Sequence, residues 1–156
     1  MAPDIRSGPP RRMRARAIYL AASLAVIGAG LTLRFVPLGL PMGIVKYGGS
    51  ALWAAMVYGL VAVLAPMGRL RGTVLVAGAI ALVVELSRLV HTPWLDAFRL
   101  TLPGALLLGR IFSPWNLVAY AAGLAAAALA DRLASLRGER ETQSATVGGG
   151  RDTGRS

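Results

Sequence analysis

The sequence contains no cysteine, which excludes disulfide bonds, thiolate metal sites and cysteine nucleophiles. It is also poor in charge: Asp, Glu, Lys and Arg together make up 15% of its 156 residues, and there is one histidine. No side chains recur at metal-ligand spacing, no glycine-rich phosphate loop follows a strand, and Ser87 and Ser113 have no general base placed to activate them. We therefore expect no metal and no cofactor, and we favour a protein that is not an enzyme.

Long apolar runs dominate the rest of the chain. Hydrophobic residues make up 55% of it and the mean hydropathy is +0.59, which is too apolar for an ordinary soluble fold. Four stretches approach the roughly 20 residues that a helix needs to cross a bilayer; they cover residues 17–36, 46–65, 73–90 and 114–133. We predict an all-α fold, a transmembrane four-helix bundle. Small residues at every fourth position favour close helix packing in three of the spans: Ala51, Ala55 and Gly59; Ala77 and Ala81; Ala119, Gly123 and Ala127.

Polar segments flank the four spans. We predict a disordered basic cytoplasmic leader over residues 1–16, the four-helix transmembrane domain over 17–134, and a disordered cytoplasmic tail over 135–156. A cleaved signal peptide is an alternative interpretation of the N-terminus, with small residues at 28–30 near a cleavage site. It is disfavoured because the apolar run continues beyond them and Arg34 follows.

The segment between spans three and four, residues 91–113, is the unusual part of the chain. Leu100 to Leu108 is apolar but too short to cross a membrane, and the pair Pro103-Gly104 is expected to break a continuous helix. We predict a short interfacial helix around Trp94 to Leu100, followed by a re-entrant or surface-lying segment. Ser113 and Pro114 together form a typical start for the fourth helix.

Basic residues predict the orientation. Twelve lie in the leader, the loop between spans two and three, and the tail, against five on the opposite side: Arg34, Lys46, Arg88, Arg99 and Arg110. The positive-inside tendency then places both termini in the cytoplasm and accounts for most of the net charge of +10. No nucleic-acid role is needed to explain it.

Glu85 is the candidate centre of a site, because it is a carboxylate inside an apolar span. It lies on the helix face of Ala77 and Ala81, which favours burial against neighbouring helices, and Arg88 at i+3 is a possible ion partner. The alternative is a purely structural ion pair near the interface, with Arg88 extending to lipid phosphates.

The five basic residues on the outer side exceed the two acids there, Glu85 and Asp96. Arginine binds phosphate in bidentate fashion, so this excess favours an anionic ligand such as a phospholipid or polyprenyl-phosphate headgroup. Isolated residues reaching ordinary lipid phosphates are the alternative. We interpret His91 as an interfacial polar residue rather than a proton carrier, and most tryptophans and tyrosines, including Tyr19 and Tyr58, as an aromatic belt.

Several tracts, taken in order, resemble a known family. They are Tyr47 to Ala54, Glu85 to Leu89, Arg99 to Thr101, Leu107 to Phe112 and Ser113 to Tyr120, with Gly123 beyond. Over about residues 30–130 the chain resembles small bacterial four-span membrane proteins of a domain-of-unknown-function family, which is similar to VanZ-like proteins. The resemblance implies a four-helix protein of the bacterial cytoplasmic (inner) membrane and cell envelope. VanZ-like members are linked to glycopeptide tolerance.

Two positions depart from the pattern of that family. Arg88 stands where glutamine is usual, and Asn116 stands where aspartate is usual. Both changes make the outer cluster more positive, and the second removes a possible paired carboxylate, which puts acid/base chemistry in doubt.

We accordingly predict a multi-pass membrane protein that binds an anionic lipid or envelope-precursor headgroup at the outer leaflet, with membrane lipids as its partners. The predicted ligand-binding residues are Glu85, Arg88, Arg99, Arg110 and Asn116. The alternative function is a small transporter or proton-coupled channel in which Glu85 titrates. An intramembrane enzyme acting on a lipid is the least favoured.

Overall fold

Six helices account for the regular structure in the part of the chain that the computed structural model describes, residues 11–65, 70–109 and 111–149. They are α1 (Arg11–Phe35), α2 (Met42–Leu64), α3 (Leu70–Ser87), α4 (Pro93–Leu100), α5 (Leu102–Leu107) and α6 (Pro114–Gly149). Residues 1–10 of the predicted leader, Arg110, and residues 150–156 of the predicted tail lie outside the described residues.

Four of these helices are long and apolar enough to cross a membrane, and this confirms the predicted all-α fold. The candidate spans are Arg12–Phe35, Met42–Leu64, Leu70–Ser87 and Pro114–Gly138. The shortest has 18 residues, which at about 1.5 Å per residue gives roughly 27 Å, close to the thickness of the hydrocarbon core. Many of their leucines and valines are exposed, as expected where lipid rather than protein covers a helix.

Helix α2 occupies the centre of the bundle and packs against α1, α3 and α6, while α3 also packs against α6. The core between these helices contains small and aromatic side chains, among them Ala54, Tyr58, Ala77, Ala81 and Tyr120. At the crossing of α2 and α6, a Cβ atom on Gly123 would collide with the backbone oxygen of Ala51. Small residues therefore allow close helix approach, as the predicted stripes indicated.

The helices differ from the predicted spans at their ends. Helix α1 begins at Arg11, inside the predicted leader, and α6 continues to Gly149, through most of the predicted tail. Composition predicted disorder in both segments, because they cannot form a packed core. Helical hydrogen bonds form within one segment without such a core, and no proline interrupts residues 11–16 or 135–149. The division into leader, membrane domain and tail stays a prediction. Helix α3 ends at Ser87, and Arg88 to Val90 form a turn of i→i−3 backbone hydrogen bonds.

The connector, residues 91–113, contains the short helix predicted near residues 94–100, which is α4. The chain breaks at Thr101, not at Pro103-Gly104 as expected. Proline is tolerated in the first turn of a helix, so Pro103 lies in the first turn of α5, which begins at Leu102. The Thr101 hydroxyl caps this helix by accepting from the Gly104 N–H at 3.2 Å. Exposed apolar side chains cover the connector, including Trp94, Leu100 and Ile111. They suit a position at the membrane interface.

Candidate functional site

Glu85 lies in the last turn of α3 and is completely buried. Thr73, Ala77 and Ala81 precede it at intervals of four residues, and all three are buried as well. The predicted orientation of Glu85 toward the neighbouring helices is therefore confirmed. A buried carboxylate is strongly destabilising unless partners satisfy its charge, so its contacts determine what the site can do.

The Glu85 carboxylate accepts hydrogen bonds on both of its oxygens. Oε1 accepts from the Ser113 backbone N–H at 2.8 Å and from the Asn116 amide at 3.2 Å. Oε2 lies 2.7 Å from Nη1 of Arg88 and accepts from the Tyr120 hydroxyl at 3.0 Å. Because three of these donors belong to the start of α6 or the residue before it, the carboxylate joins the end of α3 to the beginning of α6.

Arg88 follows α3 and turns its guanidinium toward the protein. Nη2 donates to the Tyr120 hydroxyl at 2.9 Å, and Nε donates to the Leu108 carbonyl at 2.6 Å. Nη1 also reaches the Ile111 carbonyl at 3.4 Å. The structural ion pair considered from the sequence is thus present, but the arginine head is 9% exposed and contacts the connector backbone.

Gly109 explains how the connector fits against Arg88. Its φ of +70° lies in the left-handed region, which glycine adopts without the strain that a Cβ atom causes. A Cβ atom there would also lie 2.5 Å from Nη2 of Arg88. The glycine therefore permits both the turn and the close approach of the guanidinium.

Asn116 extends the network to α2. Its Nδ2 donates to Glu85, while its Oδ1 lies 3.3 Å from the Ser50 hydroxyl, which donates to it. On the same side, the Trp53 ring lies 5.5 Å from the Tyr120 ring, centroid to centroid, at an interplanar angle of 44°. We name Glu85, Arg88, Asn116, Tyr120 and Ser50 the Glu85 cluster. It joins side chains of three spans and the residue that follows α3.

Arg99 belongs to a neighbouring set of contacts. It is 3% exposed, and Nη1 donates to the Val90 carbonyl at 2.9 Å and to Oδ1 of Asp96 at 3.1 Å. Nη2 donates to the Ser87 carbonyl. A positive charge is favourable at the carboxyl end of a helix, where carbonyl groups lack partners. Arg99 therefore attaches α4 to the end of α3.

The structure brings three of the five predicted site residues together, Glu85, Arg88 and Asn116. It places Arg99 beside them, and Arg110 lies outside the described residues. The sequence interpretation missed Tyr120 and Ser50 as members. Tyr120 was detectable, because it lies at i+4 from Asn116 and so on the same helix face. Ser50 gave no comparable signal.

No metal centre is seen: in the described ranges, no three His, Cys, Asp or Glu side chains come together as ligands. His91 lies beside Asp96, with Nδ1 at 3.4 Å from Oδ2, and both side chains are exposed.

A second polar arrangement, partly buried, lies at the opposite end of the bundle and was not predicted. Asp131 is 15 residues beyond Asn116 in α6, which is about 22 Å along the helix. The hydroxyl of Tyr19 donates to its Oδ1 and that of Tyr58 to its Oδ2, each at 2.6 Å. We name these three residues the Asp131 clasp. It ties α1 and α2 to α6, a function that assignment of the tyrosines to an aromatic belt did not reveal.

Comparison with known proteins gives a family and no activity. The family model described as "Protein of unknown function (DUF2809)" matches residues 40–124, more than half of the chain. The matched region contains the whole Glu85 cluster and the connector. No solved structure matches the chain. The expected membership in a domain-of-unknown-function family is confirmed, and the chain belongs to this family of proteins of unknown function.

Proposed function

We propose that this multi-pass membrane protein binds the phosphate-bearing headgroup of a lipid at the end of the bundle that carries the connector. We name this the connector end; it holds the end of α1, the start of α2, the end of α3 and the start of α6. In the proposal the protein lies in a bacterial cytoplasmic membrane with both termini in the cytoplasm. The connector end then faces the outer leaflet.

The distribution of charge at the connector end is the observation that supports binding of an anion. Glu85 pairs with Arg88, and Asp96 pairs with Arg99, so these four charges cancel. Arg34 and Lys46 are exposed at the same end, and none of the ion pairs within the described residues involves them. Among the described residues of the connector end, the positive excess therefore lies on two side chains, Arg34 and Lys46, that are accessible to a headgroup.

This arrangement suggests a division of tasks among the predicted site residues. Arg88 already donates from Nε, Nη1 and Nη2 to protein acceptors, and Arg99 donates from both terminal nitrogens. In our proposal, Glu85, Arg88 and Asn116 hold the ends of the spans in register, and Arg99 holds the connector. Arg34 and Lys46 at the rim, together with Arg110, provide the contacts to phosphate.

The resemblance to VanZ-like proteins, which is a prediction from the sequence, suggests a ligand of the cell envelope. A phospholipid and a lipid-linked envelope precursor share the same recognisable chemistry, a phosphate at the membrane surface. Experiments must therefore compare the two sources.

The tryptophans provide a local readout for the test. Trp94 and Trp115 are exposed at the connector end, and Trp53 contacts Tyr120 in the Glu85 cluster. Purified protein in neutral detergent is titrated with phosphatidylglycerol or with polyprenyl phosphate, each carrying a quenching group beside the phosphate. Phosphatidylcholine with the same label is the uncharged reference. We expect tighter quenching by one or both anionic lipids than by phosphatidylcholine.

The double variant Arg34→Gln/Lys46→Gln should weaken that quenching. Each cation near an anionic headgroup contributes about 1 kcal/mol, so the loss of two corresponds to roughly thirtyfold in affinity. Arg16→Gln/Arg132→Gln, which removes two arginines from the opposite end, is the matched control and should quench as the unmodified protein does. Equal quenching by anionic and zwitterionic lipid would refute the proposal.

Proton-coupled transport is the second candidate, and the complete burial of the Glu85 carboxylate among the spans favours it. Solute or proton flux into liposomes that Glu85→Gln abolishes would support it. Flux at the background rate in the unmodified protein would exclude it for the solutes tried.

A further inference from the structure

The end of the bundle opposite the connector, which we name the termini end, carries a ring of arginines. Seven arginines whose side chains the structure describes lie on α1, α3 and α6 there, and all seven are exposed: Arg12, Arg14, Arg16, Arg71, Arg132, Arg137 and Arg140. No ion pair in the described part of the chain involves any of them. The positive-inside tendency explains such a ring as a signal for orientation. The contacts around the arginines indicate a further role in binding.

Asp131 is the acidic residue at the termini end whose side chain the structure describes, and its carboxylate is already engaged. The hydroxyls of Tyr19 and Tyr58 donate to its two oxygens, each at 2.6 Å. Arg132 is its neighbour in sequence, and Arg16 lies one turn before Tyr19 on α1. The clasp thus directs the negative charge inward, between helices, and leaves the adjacent arginines directed outward.

The depth of these arginines favours a membrane partner over nucleic acid. The candidate span of α1 has 24 residues, which at about 1.5 Å per residue is roughly 36 Å, longer than a hydrocarbon core of about 30 Å. The excess places the first turn of α1, with its arginines, in the layer of lipid phosphates. Arg132 lies inside the candidate span of α6, within two turns of its end at Gly138. A nucleic acid would have to enter the headgroup layer to reach these side chains.

We propose that the arginine ring binds acidic phospholipids of the leaflet at the termini end, and that Tyr19 and Tyr58 keep Asp131 from neutralising it. The ligand is a phosphodiester headgroup with net negative charge, such as phosphatidylglycerol, held by guanidinium groups from α1 and α6. This inference does not rest on the proposal for the connector end, because it concerns other residues and the other leaflet.

The test counts the phosphatidylglycerol molecules that the full-length protein retains after extraction from mixed phosphatidylcholine and phosphatidylglycerol bilayers, by native mass spectrometry. We expect preferential retention of phosphatidylglycerol, and a loss of retained phosphatidylglycerol in Arg16→Gln/Arg132→Gln without a change in tryptophan quenching at the connector end. Retention of phosphatidylcholine and phosphatidylglycerol in bilayer proportion overturns the inference, as does unchanged retention in that variant. We expect Arg34→Gln/Lys46→Gln to retain phosphatidylglycerol normally even where it loses quenching, because these two residues belong to the connector end.

The role of the clasp is tested separately. Tyr19→Phe/Tyr58→Phe releases the Asp131 carboxylate, which should then offset neighbouring arginines and lower phosphatidylglycerol retention. Adding Asp131→Asn to that variant should restore retention, because the competing charge is gone. If the phenylalanine variant does not fold, Asp131→Asn alone carries the test: retention equal to or above that of the unmodified protein supports the inference. Reduced retention in Asp131→Asn overturns it.

Discussion

The amide of Asn116 donates to the carboxylate of Glu85 at 3.2 Å, where α6 begins beside the end of α3. An amide can supply this hydrogen bond at any pH, whereas an aspartate could do so only when protonated. Together with Arg88, it makes the cluster a satisfied ion pair rather than a pair of competing acids. The physical consequences can be measured on purified protein.

Exchanging the amide for a second carboxylate should destabilise the bundle. In Asn116→Asp two acidic groups would share a buried site, and the free energy of unfolding should fall on the order of 3 kcal/mol. Thermal unfolding in detergent measures the effect. Adding Glu85→Gln leaves one carboxylate and one amide that can donate to it. The double variant should therefore recover most of the lost free energy of unfolding. Equal stability of Asn116→Asp and the unmodified protein would contradict the network.

Gly109→Ala should be more harmful than the same change at another left-handed glycine. Both Gly109, at φ +70°, and Gly39, at φ +67°, place a new Cβ atom in a strained conformation that costs roughly 1–2 kcal/mol. A Cβ atom on Gly39 meets nothing within 4 Å, whereas one on Gly109 displaces the Arg88 guanidinium. The difference in melting temperature between the two variants isolates the Arg88 contact, and no difference would argue against it.

Gly123→Ala should separate α2 from α6. The added methyl group collides with the backbone of Ala51, which cannot move as a side chain can, so we expect lower thermal stability. Gly49→Ala is the control in a span, since it meets nothing within 4 Å and replaces glycine by a better helix former. That control should be neutral or stabilising. A stabilising Gly123→Ala would mean that the helices are farther apart than described.

Arg99→Gln should loosen the connector and leave the four spans intact. The guanidinium bonds to the Ser87 and Val90 carbonyls, so its removal frees α4 from α3. We expect amide hydrogen exchange in α4 and α5 to accelerate roughly tenfold or more, with α2 unchanged. Lys46→Gln, an exposed cation of the same end, is the matched control. Uniform acceleration across all helices would indicate general destabilisation instead.

Much of the fold was predictable because its signals are local. The spans follow from apolar length, and the orientation of Glu85 follows from the four-residue spacing of Ala77 and Ala81. The predicted break was placed at Pro103-Gly104 instead of Thr101, because Pro103 is compatible with the first turn of a helix. Sequence alone does not show whether a proline begins a helix or ends one.

The site was less predictable, because its contacts join distant segments. Ser50 and the Leu108 carbonyl join the network only through tertiary packing, and a backbone carbonyl gives no signal in the sequence at all. The arginines were recognised as a group, but their partners decide which are accessible. Arg88 and Arg99 are occupied by protein acceptors, whereas Arg34 and Lys46 carry the accessible positive charge among the described residues of the connector end.

Arg88 attaches to the connector through main-chain acceptors, and this determines which amino-acid substitutions the connector tolerates. Arg88 binds carbonyl oxygens at Leu108 and Ile111, and every amino acid presents that same oxygen. Substitutions of those two side chains therefore leave the attachment chemically unchanged, provided that the backbone path and Gly109 persist. The surface that the connector shows to lipid can thus be altered residue by residue without detaching it from the helices beneath.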